Sequence, residues 1–424
     1  MLADAYGNPL ATHSATARDA WDTGVKRFLG AEPGVVDAFQ EAIDEDENFA
    51  LPHIGLAREM QMRSRPDLVK QHLRRARELS ENLDERQRSH VATSTLLLTG
   101  KSVAAREAVY EHIKHWPRDI MVAQMCTSIF GLIGLSGLPG REAEQLSYTA
   151  RLEPHYGDDW WFRAQLAFAQ LEVGQLAVAE KNIEIAIQNN PKSAHSAHIR
   201  AHLHYEAMQD EEGYSYLVDW WSRYDRETTF FNHIAWHVGL WALEAGDEDR
   251  MWKVLDSDIA LESSHGPPLN VLTDSAALLF RAELMGIDVP TKCWLEMSEY
   301  ALKKFPKRGL AFADVHAAIA HSRCGNRTAL DDLIDDPRGP AGDVSSKIAM
   351  GYREMADENW AKAAEVFQGV ISEHARIGGS NAQRDVIDFA LAACLVRDGR
   401  PREAKTVLNI TRPRALVNEL VPGL

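Results

Sequence analysis

Six of the chain's 17 histidines, His195, His198, His202, His204, His233 and His237, fall between positions 195 and 237. An even spread would put about two in that window, so chemistry is sought there first. At about 100° per residue, a helix places His195, His198 and His202 on one face and turns His204 away. His233 and His237 form a second i, i+4 pair, and each lies 35 positions after its counterpart, His198 and His202. Imidazoles grouped this way have three uses. They can hydrogen-bond across a polar seam between helices, a purely structural role. They can chelate a divalent metal, with His198, His202, His233 and His237 as candidate ligands. Three of these with an Asp would leave a position open for water. Without a metal, they can bind a small polar ligand or move protons near neutral pH, with His202, His237 and His316 as catalytic candidates. Neither pair has the His-Glu-x-x-His form of a zinc protease, because Ile199 and Ile234 follow the leading histidines.

Other residue types extend the candidate site. Asp274, Asp314 and Asp385 could orient an imidazole through its second nitrogen. Arg384 beside Asp385, after Gly378 and Gly379, could neutralise or grip a ligand carboxylate, or form an inter-repeat ion pair. Trp236 sits between His233 and His237 and is expected to flank a pocket, while most other tryptophans fill the core. The expected ligand-binding set is therefore His198, His233, Trp236, Asp274, Asp314, Arg384 and Asp385. No phosphate loop, nucleophile elbow or dinucleotide fingerprint occurs, so no cofactor beyond a divalent metal is expected.

These residues must be carried by helices. Segments such as Ala164 to Val173 and Val178 to Ile187 repeat apolar residues at three- and four-residue steps, and almost no segment alternates as a strand would. With Trp160 as position 1 of a 34-residue tetratricopeptide-type repeat, Ala167, Gly174, Ala179, Ile183, Ala186 and Pro191 fall where such a unit needs them. The unit calls for small contacts, a turn glycine, an apolar plug and a helix stop at those positions. Partial copies recur at Phe39 and Ala42, at Ala57, Leu73 and Ala76, and at Ala392, Gly399, Ala404 and Leu408. Gly246, Gly286 and Gly325 each separate two apolar helices, and longer loops are expected at Ser263 to Pro268 and Asp335 to Asp343. The fold class is all-α, an α-solenoid of helix-turn-helix repeats over 1–424, with 1–140 and 141–424 as sub-arrays if the Gly134 to Gly140 stretch divides them. First helices of such repeats line the inner wall, so the four paired histidines should meet there. His316 lies nine residues before Gly325 as His237 lies nine before Gly246, and Asp314 and Asp388 each precede a turn glycine by eleven.

Composition narrows the function. With 62 Asp+Glu against 46 Lys+Arg, the net charge of −16 disfavours generic binding to nucleic acid or anionic lipid. The basic run of Arg63, Arg65, Lys70, Arg74, Arg75 and Arg77 is expected to be a solvated face. Four scattered cysteines match no zinc or redox motif, and no signal peptide or membrane span is visible, so a cytoplasmic protein is expected. Two function classes stay open. One is a binding protein whose concave His/Trp/Asp surface holds a small polar ligand or a partner peptide. The other is an enzyme performing hydrolysis or proton transfer on the paired histidines, with or without a metal.

Several segments resemble the tetratricopeptide repeat protein 38 family. They are Asp4-Ala5-Tyr6-Gly7-Asn8-Pro9-Leu10, His198-Ile199-Arg200-Ala201-His202, His233-Ile234-Ala235-Trp236-His237, Asp274 to Leu279, Phe312 to Ala318, and Gly378-Gly379-Ser380-Asn381-Ala382-Gln383-Arg384-Asp385-Val386. The resemblance runs from residue 4 to beyond 386. Asn381 stands where the family signature has His, and Tyr205 where Glu is expected. The resemblance implies a helical-repeat fold and brings no biochemical activity with it.

Overall fold

The computed structural model describes residues 2–262 and 264–424, so Ser263, at the head of one expected loop, lies outside the described residues. Among the described residues the chain is helical throughout, with an isolated bridge between Ala3 and Pro9 and no strand. The repeat read from Trp160 is present as helices Trp160–Glu172 and Leu176–Asn189. Asp159 starts the pair, its carboxylate accepting from the Trp161 and Phe162 amides. Gly174 divides the two helices at φ 80°, a left-handed conformation that glycine adopts without a Cβ penalty, and its amide closes on the Leu171 carbonyl at 2.9 Å. Ala167, Ile183 and Ala186 are fully buried between the helices, as the spacing requires.

The two helices of a pair are buried to different degrees. In Leu176–Asn189 only Ala179, Asn182, Ile183 and Ala186 are buried, which leaves most of the helix facing solvent. In the first helices Phe231–Glu244, Pro268–Leu284 and Ala311–Arg323 nearly every residue is buried. First helices are therefore interior, walled by their own partners on one side and by other repeats on the other.

Both ends of the array return to its middle. Near the N-terminus, Tyr224 Oη donates to the Ala31 carbonyl at 2.5 Å and Asn190 Nδ2 to Glu32 Oε1 at 2.8 Å. Near the C-terminus, Arg412 pairs with Glu206, and Arg414 donates to the Tyr205 carbonyl and Asp210. Arg141 donates to the Gly379 carbonyl at 2.7 Å, and the Asn381 amide to Glu172 at 2.9 Å. The Gly134 to Gly140 stretch packs against the C-terminal part of the chain through its first half, while residues 138–140 are exposed: the Gly137 carbonyl accepts from Arg376, and Gly378 sits so close to Leu135 that a Cβ would meet it at 2.7 Å. The N-terminal apolar core runs from Leu10 to Leu166, past position 140. Among the described residues no helix is long and apolar enough to cross a membrane, and the four cysteines are unpaired.

Candidate functional site

The helices Ala194–Glu206 and Phe231–Glu244 set the histidines. Ser193 begins the first, its hydroxyl accepting from the Ser196 amide. His198 and His202 follow one turn apart, and His233 and His237 sit in the same relation on the second helix. All four are buried. Nε2 of His198 is the hub, 2.9 Å from Nε2 of His202 and 3.0 Å from those of His233 and His237. One ligand atom from each of the four lies within 4.8 Å of the others.

Hydrogen bonding alone does not satisfy this arrangement. A neutral imidazole nitrogen carries either one proton or one in-plane lone pair, so the His198 nitrogen cannot serve three partners at once. His233 tightens the constraint. Its Nδ1–H donates to Asp274 Oδ2 at 2.8 Å, so in the neutral ring Nε2 is the acceptor that faces the hub. Adding protons is unfavourable as well. Burial, reinforced by the neighbouring rings, holds His198 and His237 well below the ordinary imidazole range, and burial first, then His233, brings His202 to about 3. What suits four converging lone pairs is a cation. Zinc–imidazole bonds of about 2.0–2.1 Å in a tetrahedron put the nitrogens about 3.3 Å apart. The three contacts to His198 are a few tenths shorter and the remaining nitrogen pairs lie within 4.8 Å, so modest ring movements would seat an ion. An all-imidazole donor set suits zinc and its neighbours in the first transition row. The four histidines could thus hold a metal.

Supporting groups fix the rings. Asp274 is fully buried, its carboxyl raised by burial against the opposing pull of His233. Gln383 reaches Asp274 Oδ1 with its side-chain amide at 3.4 Å. The same Gln383 completes a capping box with Ser380 at the start of helix Asn381–Arg397, so the local helix-start signal also braces the aspartate. Trp236 stacks on His233, with centroids 5.4 Å apart and planes at 16°, and Phe168 lies against His198 and His202. His204 does point away, bonding Gln209 instead.

Other expected site residues lie elsewhere. His316 is outside the four-nitrogen group: its Nδ1 donates to the Phe312 carbonyl at 2.7 Å, and burial lowers it to about 4. Asp314 accepts from the Gly309 amide at 2.9 Å and is raised to about 6 by burial, so it shapes a loop. Arg384 is spent on the Gly379 carbonyl, Asn381 and Glu142, and Asp385 on Tyr205, Arg412 and Arg281. Tyr205, whose ring also lies under the Arg414 guanidinium at 3.6 Å, is part of that same buried ion network. His316, Asp314, Arg384 and Asp385 all lie outside the cavity that reaches the histidines.

A cavity of about 1360 Å³ reaches the histidines. His195, His198 and His233 line it, while His202 and His237 lie behind them. Its walls come from the N-terminal pairs, segment 124–138, the helices Trp160–Glu172 and Ala194–Glu206, the start of helix Pro268–Leu284, and the loops near 228 and 310. The sequence pointed to the four histidines, Asp274 and a pocket, but not to Gln383, Phe168 or Phe230, whose ring lies 5.1 Å from that of His198, and Trp236, expected beside the pocket, does not line it. For Gln383 the helix-start pattern Ser-x-x-Gln was the available signal.

No family model matches the chain. Among solved structures it aligns with a chain of the structure of Naa15/Naa10 bound to HypK-THB, at 12% identity and a TM-score of 0.25. That alignment covers 93% of this chain and 62% of the other.

Proposed function

We propose that this is a binding protein whose cavity takes a small molecule next to a divalent metal ion held by His198, His202, His233 and His237. The observation that carries the reading is the hub at His198 Nε2, three nitrogens within 3.0 Å and no proton arrangement that serves them all. The His233–Asp274 pair adds the carboxylate–histidine support typical of metal ligands. The cavity, although it opens to solvent past side chains such as Val103 and Leu138, reaches inward to His198 and His233, which supports a ligand held against the histidines. The tetratricopeptide repeat protein 38 resemblance belongs to this reading, because its two histidine segments supply the four nitrogens. A cytoplasmic location is part of it too, supported by four unpaired cysteines.

The test is metal analysis of the purified chain. About one transition-metal ion per chain is expected, with almost none in His198→Ala or His237→Ala variants that keep their helical circular dichroism. A wild-type chain that neither contains nor takes up an ion sinks the reading.

One observation favours catalysis as a second reading. The cavity touches only His198 and His233 of the four, so an ion there is approached from one side and a reacting molecule can sit against it. A metabolite-panel assay of wild type against His202→Ala and His237→Ala decides it. No turnover, with both variants only lowering the melting temperature, removes the enzyme reading.

A further inference from the structure

The cavity's arginines are not equivalent. Four line it: Arg27, Arg58, Arg63 and Arg106. Arg63 pairs with Glu59 at 2.7 Å, and Arg106 pairs with Glu144. Among the described residues Arg58 has no carboxylate within 4.0 Å. Its hydrogen-bond partner is the neutral Gln61, and its Nε is buried without any partner. Arg27 also lacks a carboxylate and donates to the Gly34 carbonyl. Burial with no compensating charge lowers the Arg58 guanidinium to about 10. The side chain is nonetheless partly accessible, as expected of a group enclosed by protein but facing a cavity.

The cavity's acids do not supply the missing anion. Glu59 is taken by Arg63 and Glu32 accepts from Asn190, while Asp37, Asp225 and Glu227 are exposed. Much of the remaining wall is apolar, with Phe130, Leu132, Leu135, Phe168, Leu269 and Leu310 among its side chains. At about 1360 Å³ the space exceeds the ~300–1,000 Å³ of ordinary small-molecule pockets. A long apolar body fits such a chamber better than a small polar metabolite does.

We propose that the cavity's ligand is an anionic amphiphile, its hydrocarbon body against the apolar wall and its carboxylate or phosphate on Arg58. This deepens the reading of the cavity as the ligand site and narrows the ligand from a generic small molecule to one with an anionic head. The guanidinium recognises the head through paired N–H donors, and the anion supplies the charge that the surrounding protein withholds.

The experiment is calorimetric titration of the full chain, as purified, with decanoate, decyl phosphate and decanol. The samples are wild type, Arg58→Gln, Arg58→Lys and His198→Ala, with the ion content of each measured alongside. At least one anion should bind about ten-fold or more tightly than decanol, the scale of a charge-assisted contact. Arg58→Gln should erase that margin while leaving decanol affinity and the melting temperature near wild type, and Arg58→Lys should keep most of it. The better of decanoate and decyl phosphate identifies the head group. Equal affinities for anions and alcohol overturn the proposal. So does a margin that survives Arg58→Gln and disappears in His198→Ala, because the anion then sits at the ion. An ion content near zero would defeat the metal reading alone, since the Arg58 comparison needs no ion.

Discussion

Of the buried clusters that use histidine, one gathers on Asp119 and another on His198, and they differ in what their nitrogens meet. Around Asp119, Arg86 approaches at 2.6 Å, His90 Nδ1 at 3.0 Å and His112 Nε2 at 3.3 Å, and His112 Nδ1 bonds Ser89 at 2.8 Å. Burial alone would raise Asp119, but His90, His112 and Arg86 outweigh it and hold the carboxyl well below its ordinary range. Around His198, nitrogens face nitrogens, and the Asp274 carboxylate stands behind His233. The first cluster is closed by its own anion. The second directs electron pairs at a common point and needs a cation to be closed in the same sense. Histidine count and depth of burial therefore do not separate structural rings from ligands. The identity of the central atom does.

The comparison is most severely tested by removing the anion. Asp119→Ala should destabilise the fold by about 3–5 kcal/mol in urea unfolding, because Arg86 is left buried without its partner. Metal content per folded chain should stay unchanged. A loss of ion on this substitution would mean that the two clusters are coupled. A smaller effect is expected at Asp274. Asp274→Asn should weaken metal binding about 10–100-fold in competition with a chelator, as loss of a carboxylate behind a ligand histidine typically does. Unchanged affinity there would reduce Asp274 to a packing group.

Acid separates the clusters most gently. In metal-free protein, His202 titrates at about 3 when folded, below the ordinary 6.5 of the unfolded chain. The unfolded state then binds more protons, so stability is complete above pH 6.5 and falls as pH drops toward 3, by about 1.4 kcal/mol per unit per ring. His198 and His237 act in the same direction. Asp119, lowered from 3.8, contributes a loss only below that value. Between pH 6.5 and 5 the slope of unfolding free energy should therefore flatten in a His202→Ala variant. A slope identical to wild type would remove the histidines as its source.

The helix pairs were legible in the sequence because their requirements are local. A turn needs a glycine at Gly174, and close helices need Ala167, Ala179 and Ala186, whatever the rest of the chain does. The meeting of the four histidines was legible for a related reason: a spacing of 35 is one repeat, and neighbouring first helices touch. His316 shows the limit of that logic. It shares His237's offset from a turn glycine but lies 79 positions on, with helix Pro268–Leu284 between. At about 8–10 Å per packed helix, its ring cannot reach the hub. Arg384 and Asp385 misled because their partners are distant in sequence: Glu142 is 242 positions from Arg384, and Tyr205 is 180 from Asp385. The cavity depends on how tightly the whole array winds, which no single repeat encodes.

The ties between the C-terminal segment and mid-chain residues, Arg412 to Glu206, Arg414 to Asp210 and Arg141 to Gly379, bear on how this molecule comes apart. An open repeat array behaves as a row of units that can melt from either end, one neighbour at a time. Here the last helices cannot peel away without breaking partly buried ion pairs to residues more than 200 positions earlier. Terminal fraying is suppressed and disassembly becomes a joint event, at the cost of slow ring-closing encounters during folding. During synthesis, Gln383 and its brace on Asp274 arrive only with the final tenth of the chain, so the histidine centre is assembled last.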